Sequence, residues 1–261
     1  MSRLAFSTLG CPEADVDEVI RLARAHGVTT VELRCTEGQL IAPGTPPDKV
    51  ARLATTLSGA GLSVACLASY VRLTGGPEQL ELLVDVLGQA ARLGTDGVRV
   101  FGGEYDGTPG ERRRRAVRML AAAAPHAEDL GVSILLETHD AFLTGDLVAQ
   151  VLEGVDSPAV GAVWDAVNPW RAGEPLAATA RRLAPWLRHA QLKDVATTTD
   201  LRPVLPGHGA VPLHDMLRAL RQIDYTGPLS LEWERAWYPD ADPLDHALTA
   251  FRSLFDGPGR P

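Results

Sequence analysis

Short apolar runs alternate with longer amphipathic stretches along the whole chain, and this alternation predicts the elements. Eight runs, several of them β-branched, have strand length: 4–7, 29–33, 62–68, 97–101, 132–137, 160–165, 188–193 and 228–233. The segments between them carry helical spacing. In "DVDEVIRLARAHG" (15–27), Val16, Val19, Ile20 and Ala23 fall on one face, and His26-Gly27 supplies the stop. "PEQLELLVDVLGQAARLG" (77–94) opens with Pro and closes with Gly, the asymmetry expected of a helix. Similar helices are predicted near 47–60, 111–130, 146–153, 176–187, 213–223 and 243–255.

Eight strand–helix units in 261 residues predict an α/β fold, a (β/α)8 TIM barrel, because parallel strands need helical crossovers. A doubly wound sheet uses the same units, but its GxGxxG fingerprint is missing after the first strand, where the chain reads "STLGCPEA". No linker or low-complexity segment divides the chain, so 1–261 reads as a single domain.

Most of the strands turn polar at their C-terminal ends, where a barrel of this kind gathers its chemistry. The second ends in Glu32 and Arg34, the fourth carries Arg99, and the fifth leads to Glu137 and His139. The sixth ends in Asp165, with Asn168 three residues on; the seventh carries His189, Gln191 and Lys193, and the eighth Glu232 and Glu234. Residues two apart on a strand share a face. The polar set therefore points at the axis, while Leu136, Leu192 and Trp233 pack on helices. Carboxylates confined there repel and lose hydration, a conflict that a divalent cation resolves, and oxygen ligands suit Mg or Mn. A single acid at a strand end is as readily a helix cap or a solvated loop residue. Glu137, Asp165 and Glu232 together argue against that reading.

Composition narrows the partners. The net charge of −8 opposes a nucleic-acid partner, since phosphate backbones are held mainly by Lys and Arg. Cys11, Cys35 and Cys66 make neither a CxxC pair nor a disulfide framework, which suits a reducing compartment. No stretch has the length of a signal peptide or a membrane span, so a cytoplasmic protein with no membrane partner is expected. Among 23 Arg there are two Lys, and one of them, Lys193, faces the axis. A buried lysine can lose its proton where arginine cannot, so it is a candidate for polarising or protonating substrate; ion pairing to Asp194 or a nearby Glu is the plainer reading.

The order of these segments resembles the xylose isomerase-like barrels, the sugar phosphate isomerase/epimerase family. "GVTTVELR" (27–34) resembles its second strand, "LGVSILLETHD" (130–140) its fifth and "SLEWERAWYP" (230–239) its last. "WDAVNPWRAGEP" (164–175) resembles WDxxHPxxxGE, "RHAQLKD" resembles HxHxKD, and "LPGHGAVPL" (205–213) resembles its GxG loop. The resemblance implies one divalent metal on Glu137, Asp165, Gln191 and Glu232, with Gln191 where histidine is usual and Asn168 where a substrate-touching histidine often stands. Mn or Mg suits an amide oxygen better than Co or Zn does.

By the same resemblance, the substrate is a sugar or polyol carbonyl compound, such as a ketose, and the metal polarises its carbonyl. Glu137 and Glu232 then move the α-proton through an enediolate, giving an isomerase or epimerase. His139 and His208 are candidates to donate to substrate hydroxyls, with Arg99, Glu32, Asn168 and Glu234 lining the site. A dehydratase or glycoside lyase shares the first step and stands as the alternative. An endonuclease IV-like phosphodiesterase needs a histidine-rich zinc cluster, and the chain has seven His. A metal-free binding barrel is the remaining class, kept open by Gln191; a homodimer or homotetramer is compatible with the family.

"ERRRRAVR" (111–118) reads as a solvated helix face or an interface before it reads as a phosphate grip, and Gly207-His208-Gly209 as a turn before a phosphate cradle.

Overall fold

A computed structural model describes residues 3–255. Its strands are β1 (Arg3–Ser7), β2 (Thr30–Cys35), β3 (Ser63–Arg72), β4 (Gly97–Phe101), β5 (Ser133–Glu137), β6 (Val160–Asp165), β7 (Leu187–Leu192), β8 (Asp194–Val195), β9 (Pro203–Val204) and β10 (Pro228–Leu231). The α-helices are α1 (Val16–Ala25), α2 (Pro47–Gly59), α3 (Glu78–Leu93), α4 (Pro109–Leu130), α5 (Gly145–Leu152), α6 (Val167–Arg171), α7 (Leu176–Leu183), α8 (Leu213–Gln222) and α9 (Leu244–Ser253). Eight parallel strands close a barrel in the order β1-β10-β7-β6-β5-β4-β3-β2. The eight barrel strands and the helices between them lie where the hydrophobic pattern places them.

Local chemistry sets the helix ends. The Asp15 carboxylate accepts from the Glu18 amide at 2.9 Å and starts α1. Thr108 and Glu111 form a reciprocal capping box at the start of α4, and Gly131, at φ 65, ends that helix in the left-handed conformation. No helix among the described residues is long and apolar enough to cross a membrane.

Two apolar layers result. The larger lies between strands and helices and contains Leu136, Trp164, Leu192 and Trp233, all fully buried. A small separate cluster of Ala65, Cys66, Leu135 and Val163 sits inside the barrel. Two neighbours of β3 can both belong to it because the β2–β3 register slips. Val31 pairs with Val64, but Glu32 pairs with Cys66, leaving Ala65 as the extra residue. A second slip between β6 and β7 leaves Arg188 extra, and His189 then faces Val163.

Three features exceed the sequence expectation. Strand β3 runs on to Arg72, past the expected end at 68. Helix α6 follows β6 directly. Past β7 the chain makes a two-residue antiparallel ladder, Asp194–Val195 on Pro203–Val204. Asp194, fully buried, organises the loop beyond this ladder: its carboxylate accepts from the amides of Val195, Gly207, Gly209 and Val211 at 2.9–3.1 Å. A side chain at 209 would press on that carboxylate and on the Val195 carbonyl, so Gly209 is required by close approach, and Gly207 by its left-handed φ of 88. The Gly207 and Gly209 amides are spent on Asp194, so the motif is the turn expected first and not a phosphate cradle.

Candidate functional site

The inward residues of the barrel form two tiers at the C-terminal ends of the strands. Glu32, Glu137, Gln191 and Glu232 belong to the lower tier, joined by Arg99 and Asp165. One pleat higher stand Arg34, His139, Lys193 and Glu234. Of these, Glu32, Arg99, Glu137, Asp165, Gln191, Lys193 and Glu232 are buried.

Contacts tie the lower tier across the axis. Glu32 Oε2 lies 2.6 Å from His189 Nε2, and Gln191 Nε2 donates to Glu32 Oε1 at 3.1 Å and Glu232 Oε1 at 3.2 Å. Asp165 accepts from the Val167 amide at 3.0 Å and from Asn168 Nδ2 at 2.6 Å; Arg171 Nε donates to Asn168 Oδ1 at 3.2 Å. Short helix α6 therefore serves to hold Asp165, and Asn168 spends both ends of its amide on that task. Arg99 Nε approaches Glu137 Oε2 at 3.3 Å without the alignment of a hydrogen bond.

Lys193 is the hub of the acidic side. Its ammonium lies 3.0 Å from Asp165 Oδ2, 2.7 Å from Glu232 Oε2 and 2.5 Å from Glu234 Oε1. Burial alone would lower its pKa, but these three carboxylates hold it well above the usual lysine value. The partners are thus strand-end acids around the axis, while the neighbouring Asp194 faces backbone amides. Burial pushes Glu232 up to about 8, helped by Asp165, Glu137 and Glu234 and opposed by Lys193. Burial also raises Glu137, with Arg99 opposing. His139 is raised despite its burial, because Asp140 Oδ1 lies 2.7 Å from its Nδ1 and Glu137 stands nearby.

The remaining predicted positions are less central. His208 is exposed on the loop pinned by Asp194, away from the buried set. Arg112, Arg113 and Arg115 of α4 donate to the Ala141 carbonyl, Gln150 and the Gly75 carbonyl, which makes them struts between helix and loops.

Half of the unpartnered buried polar atoms among the described residues lie inside this barrel: Arg99 Nε and Nη1, Glu137 Oε2, His189 Nδ1, Gln191 Oε1 and Ser230 Oγ. Folded interiors normally satisfy such groups, so unspent capacity concentrated in one place marks a ligand site.

The family model described as "Xylose isomerase-like TIM barrel" matches residues 20–254. The chain belongs to the xylose isomerase-like TIM-barrel family. Among solved structures, this barrel resembles the probable 3-DHS dehydratase AsbF of Bacillus anthracis, with TM-score 0.82, 18% identity, and 99% and 100% of the two chains covered. It resembles the IOLI protein with a bound zinc atom at TM-score 0.83, 20% identity and 97% of each chain. It also resembles D-psicose 3-epimerase of Clostridium cellulolyticum H10, solved with D-tagatose, at TM-score 0.81, 17% identity, and 96% and 97% coverage. No curated protein matches the chain in sequence.

Within this xylose isomerase-like barrel, a divalent ion can be tested against the residues present. Four buried inward carboxyl groups, Glu32, Glu137, Asp165 and Glu232, outnumber the two cations, Arg99 and Lys193, that face them. Gln191 Oε1 and Glu137 Oε2 are hard oxygen donors without a hydrogen-bond partner. Charge and donor type thus fit a divalent cation. Among the described residues no three His, Cys, Asp or Glu side chains converge as a ready-made cluster, and Lys193 engages one oxygen each of Asp165 and Glu232.

Three contributors escaped the sequence reading: Tyr70, Phe101 and Ser230. Tyr70 lies on the stretch of β3 beyond its expected end, although the parity of Cys66, Ala68 and Tyr70 carries the signal. Phe101 packs 4.0 Å from the Arg99 guanidinium and 4.6 Å from the His139 ring.

The Glu32–His189 contact predicts an acid limb of stability. Burial would raise Glu32, but the His189 hydrogen bond and the Arg99 charge overcome it and bring the carboxyl to about 2, below its ordinary 4.5. A folded pKa below the unfolded one gives stability that is present above 4.5 and lost as pH falls through 2, about 3 kcal/mol in all. Urea unfolding between pH 6 and about 2.5 should show that loss, and Glu32→Gln should flatten it. An unchanged acid limb in the variant would refute the assignment.

Proposed function

We propose that this protein is a sugar isomerase or epimerase that moves a proton α to a carbonyl between Glu137 and Glu232. The carrying observation is the pair of buried carboxyls with raised pKa values in one polar chamber, Glu232 near 8. Burial strengthens each carboxylate as a base once it is ionised, as α-proton abstraction requires.

Glu137, held beside Arg99, takes the proton from the α-carbon, and the electron pair moves into an enediolate. The ammonium of Lys193 and the guanidinium of Arg99 offset the charge that develops on oxygen. Glu232 returns a proton to the opposite face of that carbon, or to its neighbour as the hydroxyl proton passes between the two enediol oxygens, and the two carboxyls exchange roles in the reverse direction. His139 and Glu234 hold substrate hydroxyls from the upper tier. Glu32 and Asn168 keep Gln191 and Asp165 in place. Glu137, Asp165, Gln191 and Glu232 would hold one divalent ion, with Mn or Mg favoured by their oxygen donors; bound there, it supplies Lewis-acid polarisation of the carbonyl. His208 belongs to the rim of the mouth.

The test is incubation with ketoses and aldoses in deuterated water, with and without Mn. Deuterium at the α-carbon with every C–O bond retained is the expected result. Loss of water would assign the chain to the dehydratases, which share the first step and to which AsbF is named as a probable member. No exchange with any sugar, with calorimetry showing no Mn binding at millimolar concentration, would overturn the metalloenzyme reading.

A further inference from the structure

Arg34 is a cation that neither the fold nor the proton transfer uses. It projects from β2 on the same face as Glu32, one pleat nearer the mouth. That is about 7 Å along the strand, the reach of a short sugar chain. Its Nε donates to Tyr70 Oη at 2.7 Å, and its guanidinium lies 5.3 Å from the Tyr70 ring centroid and 4.6 Å from that of Trp237. No carboxylate among the described residues pairs with it, whereas Arg99 faces Glu137 and Lys193 faces three acids.

The surroundings look built for this one group. Trp237 is 54% exposed, one of two large apolar side chains left in solvent among the described residues. The other, Leu130, ends α4 just before β5 and so belongs to the opposite end of the barrel. Trp237 supplies a ring against a half-buried guanidinium, an arrangement in which cation–π attraction fixes the plane of the group. With Nε held by Tyr70, the two Nη groups remain as a fork, the shape that pairs with a planar two-oxygen anion.

The mouth is also polarised. In the upper tier Arg34, Tyr70, Phe101 and His139 line the β2–β5 side, above Glu32 and Glu137, and Glu234, paired with Lys193, lines the other. Arg99 and Lys193 already face carboxylates and Arg34 does not, so an acid substrate enters with its anionic end at Arg34 and its hydroxyl-bearing carbons over Glu137 and Glu232.

We propose that Arg34 binds the carboxylate of the substrate, which makes the substrate a sugar acid or related polyhydroxy acid. This rests on the isomerase reading for the position of the reacting carbons, but its test needs no turnover. Calorimetric titration with D-gluconate, D-glucitol and D-glucitol 6-phosphate compares a carboxylate, a neutral chain and a phosphate.

The wild-type protein should bind gluconate at least about tenfold more tightly than glucitol. Arg34→Gln should abolish that preference with glucitol affinity unchanged. Arg34→Lys, which keeps the charge without the fork, should retain only part of it, and it serves if the Gln variant does not fold. Equal affinity for gluconate and glucitol, absence of gluconate binding, or a preference that survives Arg34→Gln would overturn the proposal. Tighter binding of the phosphate than of gluconate would overturn the carboxylate assignment. A gluconate preference without deuterium exchange on any ketose, aldose or uronate would retain the anion site and remove the isomerase reading.

Discussion

Glu137→Gln should lower deuterium entry at the substrate α-carbon by about 10²–10⁴-fold, the usual contribution of a positioned base. The amide keeps the size and polarity of the carboxylate but cannot take the proton. Folding should survive, because Glu137 is a buried carboxyl raised by its own desolvation and by Asp165, and neutralising it relieves that cost. Arg99 loses its facing charge, yet its guanidinium keeps the Phe101 ring at 4.0 Å and lies 5.4 Å from that of Tyr70. The loss should therefore appear in kcat, with KM little changed, and the thermal midpoint should stay within a few degrees. Exchange at the wild-type rate would remove Glu137 from the proton path.

Lys193→Met should be the most damaging single change to stability. It leaves Asp165, Glu232 and Glu234 around one space with no ammonium among them. Breaking a buried ionic network by removing one partner costs about 3–5 kcal/mol. For a chain of this size that lowers the thermal midpoint by roughly 10 °C. The proposed metal site gives the experiment a second arm. Lys193 and a divalent ion draw on the same oxygens of Asp165 and Glu232, so Mn should restore more of the midpoint in the variant than it adds to the wild type. A variant that melts like the wild type in chelator would show that the ammonium does not hold these carboxylates.

The fold was legible because two periodicities coexist in the chain, and each strand–helix unit repeats them. The period-2 parity of β7 was enough to aim His189, Gln191 and Lys193 inward, and the outward positions Leu136, Leu192 and Trp233 are buried against helices. Partners across the barrel were not legible. His189 meets Glu32 from 157 positions away, a pairing decided by barrel closure and by the slips at Ala65 and Arg188. Nor did the sequence separate Asn168 from the substrate, since its engagement by Asp165 and Arg171 depends on the short helix α6. The GxG loop is the turn its sequence suggests, but what fixes it was not legible: the Gly207 and Gly209 amides point at Asp194, whose neighbour in sequence, Lys193, faces the acids around the axis.

That neighbouring pair has a dynamic consequence. Four backbone amides converge on one buried carboxylate, so the rim between β9 and α8 is ordered before any ligand arrives. A ligand entering past His208 has little conformational entropy to remove there. Lys193, one residue before Asp194, inherits the same rigidity: its backbone cannot drift while the next side chain is held by the loop.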